Sequence, residues 1–442
     1  MPTTPHRRDF LRQSSSIAAA TAAASALAIH LPAVHADEPA NADAEKGSPN
    51  NTVRVGIMGV NGRGAALANS FMGQPNVHVA AICDVDQRVV GRTLDTVEKK
   101  QGKRPEAFVD FRKILDNPNV DVLVVAAPNH WHAPAAILAC KAGKHVYVEK
   151  PCSHNPREGE IAVAAARKYN RVVNMGNQRR SYPAIVEAIE KIRAGAIGRV
   201  LYARTWYNSR RPSIGKGQVT APPAGLDFAL WQGPAPEQPY RDNLVHYNWH
   251  WHWHWGNGEL GNNGIHSLDV ARWALGVDYP KRVTALGGKY RHDDDQQTPD
   301  TMMVTYEFGD ATITWEGLSW SPYGPGGAGY GMSFHGDQGT LVIDDPGYKL
   351  LDLQNKEIAA EKGRGGDGDH LANFLHCVRN GGRPNSDIEE AHKSTLLCHL
   401  GNIAYRVGRE LHIDPATGNI VGDEQAKNMW SREYQPGWEP TV

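Results

Sequence analysis

The chain has 442 residues, and its 47 Lys and Arg residues nearly balance 48 Asp and Glu residues, which leaves a net charge of −1. This balance excludes proteins that bind nucleic acid or an anionic membrane through a strongly basic face. The length has room for about two or three domains, and 40% hydrophobic residues are enough for real cores. Twelve Trp residues are many; indole rings fill cores or form flat platforms on which sugars pack.

The first 36 residues are predicted to be a signal peptide. Arg7 and Arg8 precede an Ala-rich apolar stretch over residues 17–31, which ends near small residues suited to cleavage. The paired arginines predict export by the twin-arginine route, to the periplasm or another extracytoplasmic compartment. A transmembrane anchor is disfavoured because the apolar run is short and is interrupted by His and Pro. Residues 37–51 are polar and are predicted to be a linker.

From residue 53 onward the predicted strands alternate with helices, which is typical of a doubly wound parallel sheet. The apolar run over residues 120–126 has the character of a strand buried on both faces. These elements predict an α/β nucleotide-binding domain of the Rossmann type over residues 52–176. Its predicted strands are 53–58, 77–83, 120–126, 145–148 and 172–175. One predicted helix follows the first strand and ends at about residue 72, and the others cover 87–100, 111–116 and 134–142.

After residue 176 the predicted elements are mainly longer strands among Gly- and Pro-rich loops. We expect residues 177–442 to form an α+β domain with a large, mostly antiparallel, open sheet that binds substrate and mediates oligomerisation. The predicted strands are 200–207, 281–290, 302–308, 312–318, 330–335 and 339–344, and the predicted helices are 184–194, 265–275, 369–379 and 388–408.

A glycine-rich loop follows the first predicted strand. Gly59, Gly62 and Gly64 allow close approach of a pyrophosphate to backbone N–H groups and to the positive end of the next helix. Asp84 ends the second strand, where an acid bonds the adenosine ribose. The alternative for Asp84 is a turn-forming role. Because Val85 is not basic, NAD is favoured over NADP.

The ten residues from His246 to Trp255 are HYNWHWHWHW, in which Trp and His alternate from residue 249 onward. In an extended strand this pattern would put the Trp residues on one face and the His residues on the other. A zinc or copper site is disfavoured because no matching Cys or carboxylate set accompanies them, and the five scattered cysteines suggest neither a disulfide framework nor a metal site. We expect a wall of the substrate pocket, with one or two indoles, Trp255 among them, against sugar faces. Plain packing accounts for most of the others.

Four segments carry a family resemblance: residues 127–132 (APNHWH), 149–151 (EKP), 261–269 (GNNGIHSLD) and 369–374 (DHLANF). Together with the glycine loop they resemble the Gfo/Idh/MocA oxidoreductases, a family that includes glucose–fructose oxidoreductase and inositol dehydrogenase. The resemblance covers nearly all of the chain after the signal peptide.

The resemblance implies roles for the first two segments. Lys150 would lie beside the nicotinamide and position or polarise the reacting hydroxyl, with a pKa lowered by burial. Glu149 would bond the nicotinamide ribose. Pro128, Asn129 and His132 would line the nicotinamide half of the cofactor site. The alternative for Lys150 is an ordinary solvated surface lysine.

The resemblance also indicates His266 as the general base, with a structural, hydrogen-bonded His as the alternative. Family members commonly carry an acid four residues earlier, where this chain has Asn262. An amide can bond a sugar hydroxyl but cannot take a proton, so a mechanism that needs an acid there is in doubt. Asp269 is expected to orient His266, to pair with Arg272 or to act as a cap.

The remaining candidates are assigned by their position in the chain. Asn61 and Arg63 belong to the glycine loop and are expected to contact the cofactor. Gln178 and Arg179 follow a strand end, and we expect Gln178 to face the cofactor and Arg179 the substrate. Trp206 is a further candidate for the substrate pocket.

These features predict an exported NAD(P)-dependent oxidoreductase that acts on a sugar or polyol hydroxyl by hydride transfer. Outside the cytoplasm little free NAD is available, so we expect a tightly held cofactor that is reduced and reoxidised in one cycle. One alternative is an NAD-dependent glycosidase that works by transient oxidation, elimination and re-reduction. Another is a non-catalytic sugar-binding protein on this scaffold. The resemblance further implies a homodimer or homotetramer, with a small carbohydrate as substrate.

Overall fold

The computed structural model describes residues 51–442. The predicted signal peptide and residues 37–50 of the predicted linker lie outside the described residues. Within residues 51–442, no helix combines the length and the apolar character needed to cross a bilayer.

A six-stranded sheet, parallel throughout, forms the N-terminal part of the described chain, with strand order β3-β2-β1-β4-β5-β6. The strand Val122–Val125, one of the two central strands, is buried along its whole length, as the apolar run over residues 120–126 predicts. The doubly wound α/β prediction is confirmed. The elements are β1 (Val53–Met58), α1 (Arg63–Met72), β2 (Val77–Cys83), α2 (Gln87–Gln101), β3 (Glu106–Phe108), α3 (Arg112–Asp116), β4 (Val122–Val125), α4 (Asn129–Lys141), β5 (His145–Val148), α5 (Pro156–Lys168) and β6 (Val173–Met175).

The register of this sheet brings four loops to one edge. Met58, the last residue of β1, pairs with Cys83 of β2 and with Val125 of β4, and Val125 pairs with Val148 of β5. The residues that follow these strands therefore stand in a row at the carboxyl edge, where open α/β sheets bind ligands.

A ten-stranded sheet follows, with strand order β14-β13-β12-β11-β7-β10-β9-β8-β15-β16. Its neighbours are antiparallel except β7 and β10, so the prediction of a mostly antiparallel sheet is confirmed. The elements are α6 (Pro183–Arg193), β7 (Val200–Asn208), α7 (Phe228–Gln232), α8 (Ile265–Leu275), β8 (Arg282–Gly288), β9 (Thr301–Glu307), β10 (Thr312–Leu318), β11 (Tyr330–Gly336), β12 (Thr340–Ile343), β13 (Tyr348–Leu351), β14 (Glu357–Glu361), α9 (Gly368–Asn380), α10 (Ile388–Val407), β15 (Leu411–Ile413), β16 (Ile420–Val421) and α11 (Glu424–Lys427).

Helices cover one face of the large sheet. Helices α6, α8 and α10 contact its strands, and the side chains between them form the main core. On the strands β8 and β9, Leu286 and Met303 are directly paired and remain 78% and 55% exposed. This pair lies on the sheet face that the helices leave open.

Two predictions of helices were wrong. The helix predicted over residues 134–142 begins at Asn129, with Pro134 inside it. The sequence suggested Pro134 as a first helical residue. The buried first turn instead packs well enough to tolerate the loss of the hydrogen bond that the missing N–H of Pro134 would have donated. Helix α5 was missed, although Asn155 caps it by accepting a 3.0 Å hydrogen bond from the Glu158 backbone N–H.

Candidate active site

One cavity of about 520 Å³ lies at the carboxyl edge of the parallel sheet and extends to α8 of the second half. Its size is that of a typical cofactor or small-molecule site. The cavity brings together most of the residues that the sequence predicts for the site. These are Gly59, Asn61, Gly62, Arg63, Asp84, Pro128, Asn129, His132, Glu149, Lys150, Gln178, Asn262 and His266.

The glycine loop has the geometry of a phosphate cradle. Gly59 and Gly62 have φ values of +84° and +107°, which favour glycine. A Cβ at Gly64 would lie 1.7 Å from the Gly59 carbonyl oxygen, so Gly64 packs behind the loop; it does not line the cavity. Helix α1 starts at Arg63 without a side-chain cap. Its positive end is therefore available to a pyrophosphate, and the residues present fit a dinucleotide.

Asp84 is buried beside this loop. One carboxylate oxygen accepts a 2.8 Å hydrogen bond from the Val60 N–H and the other a 3.0 Å bond from the Asp86 N–H. Burial raises the pKa of Asp84, and the two backbone donors oppose that rise. Each carboxylate oxygen keeps a second lone pair. The turn-stabilising role and a role at the ribose are therefore compatible in the same side chain.

An ion-pair network holds Glu149 and Arg63. The Arg63 Nε donates to Glu149 Oε1 at 2.7 Å, and the two terminal nitrogens donate to Asp367 at 2.8 and 2.9 Å. Glu149 Oε2 accepts from the Lys150 N–H at 3.2 Å. Asp367 was missed by sequence reasoning, although it stands two residues before the family segment 369–374. Arg63 thus ties the glycine loop to the acid that precedes Lys150.

Lys150 points into the cavity and is held by Asn262. Its Nζ donates to the Asn262 main-chain oxygen at 2.7 Å and to the side-chain Oδ1 at 2.9 Å. Asn262 lies in a π-helical turn, Leu260–Gly264, directly before α8. Burial lowers the pKa of Lys150. Both acceptors are neutral, so the ammonium is positioned by this contact without being neutralised by it.

His266 faces the same cavity from the first turn of α8. It is 8% exposed, and its buried Nδ1 has no hydrogen-bond partner. Burial, together with the charges of Arg179 and Lys150, places the pKa of His266 well below 6.5. The imidazole is therefore neutral at physiological pH and free to accept a proton.

The expectations for Asp269 were wrong in their partners. Its carboxylate accepts from Arg180 at 2.8 to 3.0 Å and from the Ser394 hydroxyl at 2.6 Å. Arg272 pairs instead with Glu390. Asp269 does not contact His266, because it points towards α10 and the turn that carries Arg180, away from the cavity.

Three predicted substrate residues do not line this cavity. Arg179 forms an ion pair with Asp345 at 2.6 Å and stacks over a tyrosine ring. Trp206 is 3% exposed, and its Nε1 donates to the Ala328 oxygen at 2.9 Å, so it is a packing residue of the large sheet. Trp255 lines a second cavity.

The His/Trp stretch is not an extended strand. Residues Asn248–Trp251 form a 3₁₀ turn, so the predicted separation of His and Trp on two faces was wrong. Trp249 and His250 stack with 3.6 Å between ring centroids, and both line the cofactor cavity. Across residues 51–442, no group of three or more His, Cys, Asp or Glu is arranged to hold a metal ion.

Residues 225–250, here called the strap, cross from the second half of the chain onto the parallel sheet. His246 Nε2 bonds the buried Asp86 carboxylate at 2.7 Å. The Gln87 N–H donates to the Gly225 oxygen and the Asp227 N–H to the Val85 oxygen, both at 2.9 Å. The sequence predicted residues 246–255 as a pocket wall, but it did not predict the contribution of residues 225–245 or the attachment to the parallel sheet. The strap residues that line it are Leu230, Trp231, His246, Tyr247, Trp249 and His250.

Comparison with known proteins agrees with this geometry. The family model "Oxidoreductase family, NAD-binding Rossmann fold" matches residues 53–177, and "Oxidoreductase family, C-terminal alpha/beta domain" matches residues 200–440. An α-N-acetylgalactosaminidase of Shewanella oneidensis is 29% identical over 211 residues, which are 46% of each chain. A glycosyl hydrolase family 109 protein of Saccharopolyspora erythraea gives the same figures. The chain thus spans about half the length of the curated relatives it matches.

Solved structures share the fold. An aldose–aldose oxidoreductase from Caulobacter crescentus, complexed with glycerol, superposes with a TM-score of 0.65 at 21% identity, covering 82% of this chain and all of that one. The WlbA dehydrogenase from Bordetella pertussis, in complex with NADH and UDP-GlcNAcA, gives 0.62 at 18% identity, covering 82% and 99%. The two family models together span nearly all of the described residues. The chain belongs to the Gfo/Idh/MocA family of NAD-binding oxidoreductases.

Proposed function

We propose that this chain oxidises a hydroxyl group of a carbohydrate with NAD held in the 520 Å³ cavity. The observation that carries the proposal is the joint placement of Lys150 and His266 in the cavity that the glycine loop and Asp84 also line. A cation that positions an oxygen and a neutral imidazole that accepts a proton can together promote the oxidation of an alcohol.

When bound, the nicotinamide ring supplies a hydride acceptor for the carbinol carbon. We assign the hydroxyl proton to His266, because its imidazole is neutral and lines the same cavity as Lys150. Lys150 donates to the substrate oxygen by giving up one of its two bonds to Asn262. Transfer of the O–H proton to His266, and of the C–H hydride to a bound nicotinamide, would leave a carbonyl.

NAD is the proposed cofactor, in preference to NADP. Asp84 presents a carboxylate at the end of β2, and Val85 behind it also lines the cavity. A 2′-phosphate beside Asp84 would bring two negative charges together in a partly desolvated site. Binding of NADP with equal affinity would contradict this preference.

We further propose that the cofactor is retained through the catalytic cycle and that the protein is exported. The strap supports retention, because it is bonded to Asp86 and to the backbone at residues 85 and 87, next to Asp84, and because six of its residues line the cavity. The paired arginines at residues 7 and 8 support export by the twin-arginine route, which carries folded proteins. A retained cofactor would let the enzyme work where free NAD is scarce.

A second candidate function is redox-neutral cleavage of a glycoside. The similarity to an α-N-acetylgalactosaminidase, at 29% identity over 211 residues, favours it. In this chemistry, oxidation of a ring hydroxyl acidifies the neighbouring C–H, loss of that proton expels the aglycone, water adds, and the hydride returns to the carbonyl. The net reaction is hydrolysis, and no second sugar is consumed.

The test has two steps. First, the purified protein is denatured and any released nucleotide is identified; release of none would refute a retained cofactor. Second, the protein is mixed with candidate sugars and glycosides while NADH absorbance is followed. NADH that persists until a carbonyl acceptor is added supports net oxidation, whereas cleavage of a glycoside without NADH accumulation supports the second candidate.

Two lysine variants make this test specific. Lys150→Ala should abolish either activity, whereas Lys141→Ala removes an exposed lysine of α4 and should leave it intact. Full activity in Lys150→Ala would refute the site. Sugar binding by a wild-type protein that neither forms NADH nor cleaves a glycoside would instead favour a non-catalytic sugar-binding protein.

We also propose a homodimer or homotetramer that uses the open face of the large sheet. Leu286 and Met303 are paired on this face and are 78% and 55% exposed, so together they form an exposed apolar surface. Replacing Met303 by Glu should shift the mass measured by light scattering towards the monomer. An unchanged mass would argue against this face.

A further inference from the structure

A second cavity, of about 910 Å³, lies behind the cofactor cavity. The two share a wall: Trp249 and His250 line the first cavity, and residues 252–257 line the second. Asn129 of the cofactor cavity donates to Asn257 of the second one at 2.9 Å. The second cavity therefore has its own lining and contains none of the residues proposed for hydride transfer.

Two guanidinium groups in this cavity lack a carboxylate partner within residues 51–442. Arg406 lies 5.3 Å over the Trp253 ring and makes no hydrogen bond or ion pair among the described residues. Arg432 donates only to neutral acceptors, namely the oxygens of His254 and Glu433, at 2.9 and 3.2 Å, and the His154 Nδ1 at 3.4 Å. Both positive charges are left without a counter-charge in direct contact.

The other charged groups around the cavity compensate these two only in part. Arg241 and Asp295 compensate each other at 3.5 Å. Glu433 is exposed at the rim. Glu158 is buried behind the wall, where it accepts from the His154 N–H and the Tyr434 hydroxyl. Burial raises the pKa of Glu158 to about 7, and its carboxylate attracts Arg432 without forming an ion pair with it. Three arginines and two acids line the cavity itself, which leaves the lining with one excess positive charge.

The remaining lining suits a hydroxylated ring. Amide side chains line the cavity at several points, and Asn402 is ordered by a 2.9 Å bond to the Asn257 oxygen. Trp253 is half-buried and supplies indole surface, whereas Trp255 is 6% exposed and packs against Trp231. Amides bond hydroxyl groups as donors and as acceptors, and indoles pack against the apolar face of a sugar ring. The cavity has room for more than one such ring.

We infer that this second cavity binds an acidic carbohydrate, one that carries a carboxylate or a sulfate group. Arg406 and Arg432 pair with the acidic group, and the amides and Trp253 contact the ring. The site is separate from the hydride-transfer site, and it gives the protein a second point of attachment to an acidic glycan.

Isothermal calorimetry on the Lys150→Ala protein tests this inference without turnover. The probes are glucuronate, glucose 6-sulfate, neutral glucose and inorganic sulfate. We expect one or both acidic sugars to bind at least tenfold more tightly than glucose and than inorganic sulfate. Arg406→Gln should weaken that binding at least tenfold, because it removes a charge-assisted contact. Arg409→Gln is the matched control, since Arg409 is an exposed arginine paired with Asp423.

Three results would overturn the inference. They are no saturable binding of either acidic sugar at millimolar concentration, equal binding of inorganic sulfate, and wild-type affinity in Arg406→Gln. Bound NAD is measured in the same preparations and should not differ between Arg406→Gln and Arg409→Gln. Failure of the proposed oxidation would show in the NAD and activity assays alone, and failure of the second site in the calorimetry alone.

Discussion

Replacing Asn262 by Asp should change the pH dependence of the reaction in a defined direction. The wild-type amide holds the Lys150 ammonium through a neutral oxygen at 2.9 Å. Because burial lowers the pKa of Lys150, we expect its deprotonation to produce an alkaline limb of activity below pH 10.5. A carboxylate at residue 262 would favour the charged form of Lys150. The loss of activity at alkaline pH would therefore begin at a higher pH.

The magnitude follows from the distance. Two unit charges 2.9 Å apart attract by roughly 6 kcal/mol at an effective dielectric constant near 20. The wild-type amide oxygen already stabilises the ammonium by a hydrogen bond that the variant gives up, and water in the cavity screens the new ion pair, so only part of this attraction raises the pKa. A net rise of about one to three in the pKa of Lys150 remains, which corresponds to about 1.4 to 4 kcal/mol.

The assay is the pH dependence of NADH formation in a single turnover. Asn262→Ala is the control: it loses the side-chain acceptor but keeps the main-chain oxygen, which bonds Lys150 at 2.7 Å. The alkaline limb of the pH profile should move to higher pH in Asn262→Asp and should not do so in Asn262→Ala. If both variants keep the wild-type limb, the residue that titrates there is not Lys150.

Three further predictions concern other parts of the protein. His266→Asn should lower kcat about 10²- to 10⁴-fold while the content of bound NAD stays unchanged; a parallel loss of NAD would mean that His266 holds the cofactor instead. His246→Phe breaks the 2.7 Å bond between the strap and Asp86 and should speed NAD dissociation about tenfold or more, measured by fluorescence, so an unaltered rate would argue against retention by the strap. Burial lowers the pKa of His130 to about 3, of His392 to about 4 and of His399 to about 3, so these residues stay neutral in the native state while the unfolded chain takes up protons below pH 6.5. Each of these histidines should lower the free energy of unfolding by about 1.4 kcal/mol at pH 5.5, or by roughly 4 kcal/mol for the three together. Urea unfolding at pH 7.5 and at pH 5.5 measures this loss, and equal stability at the two pH values would contradict it.

Local signals predicted much of the fold. The strands Val53–Met58, Val77–Cys83, His145–Val148 and Thr312–Leu318 have the predicted bounds, because each is an apolar or alternating run between clear turn residues. The strands β13 to β16 were missed; they have two to five residues, too few for a period to show. Helix α5 was missed although its sequence carries a start signal, with Asn155 as the N-cap and Pro156 as the first helical residue. The order of strands in the large sheet depends on pairings that no local pattern encodes.

The cofactor half of the site was predictable because its residues follow strand ends of one parallel sheet. Arg179 was misassigned for a local reason: Gln178–Ser181 form a 3₁₀ turn, in which neighbouring side chains point about 120° apart. Gln178 therefore lines the cavity while Arg179 points to Asp345. The strap was not predictable, since its contact between Asp86 and His246 joins residues 160 positions apart in the chain.

The strap has a consequence for how this chain can be recombined. Its residues belong by sequence to the second half of the chain, yet they form part of the wall of the cavity at the parallel sheet. A chimera that joined this parallel-sheet domain to a second half without residues 225–250 would lose the partner of Asp86 and part of the cavity wall. The nucleotide-binding domain is therefore not a self-sufficient module, and a working exchange would have to carry residues 225–250 with it.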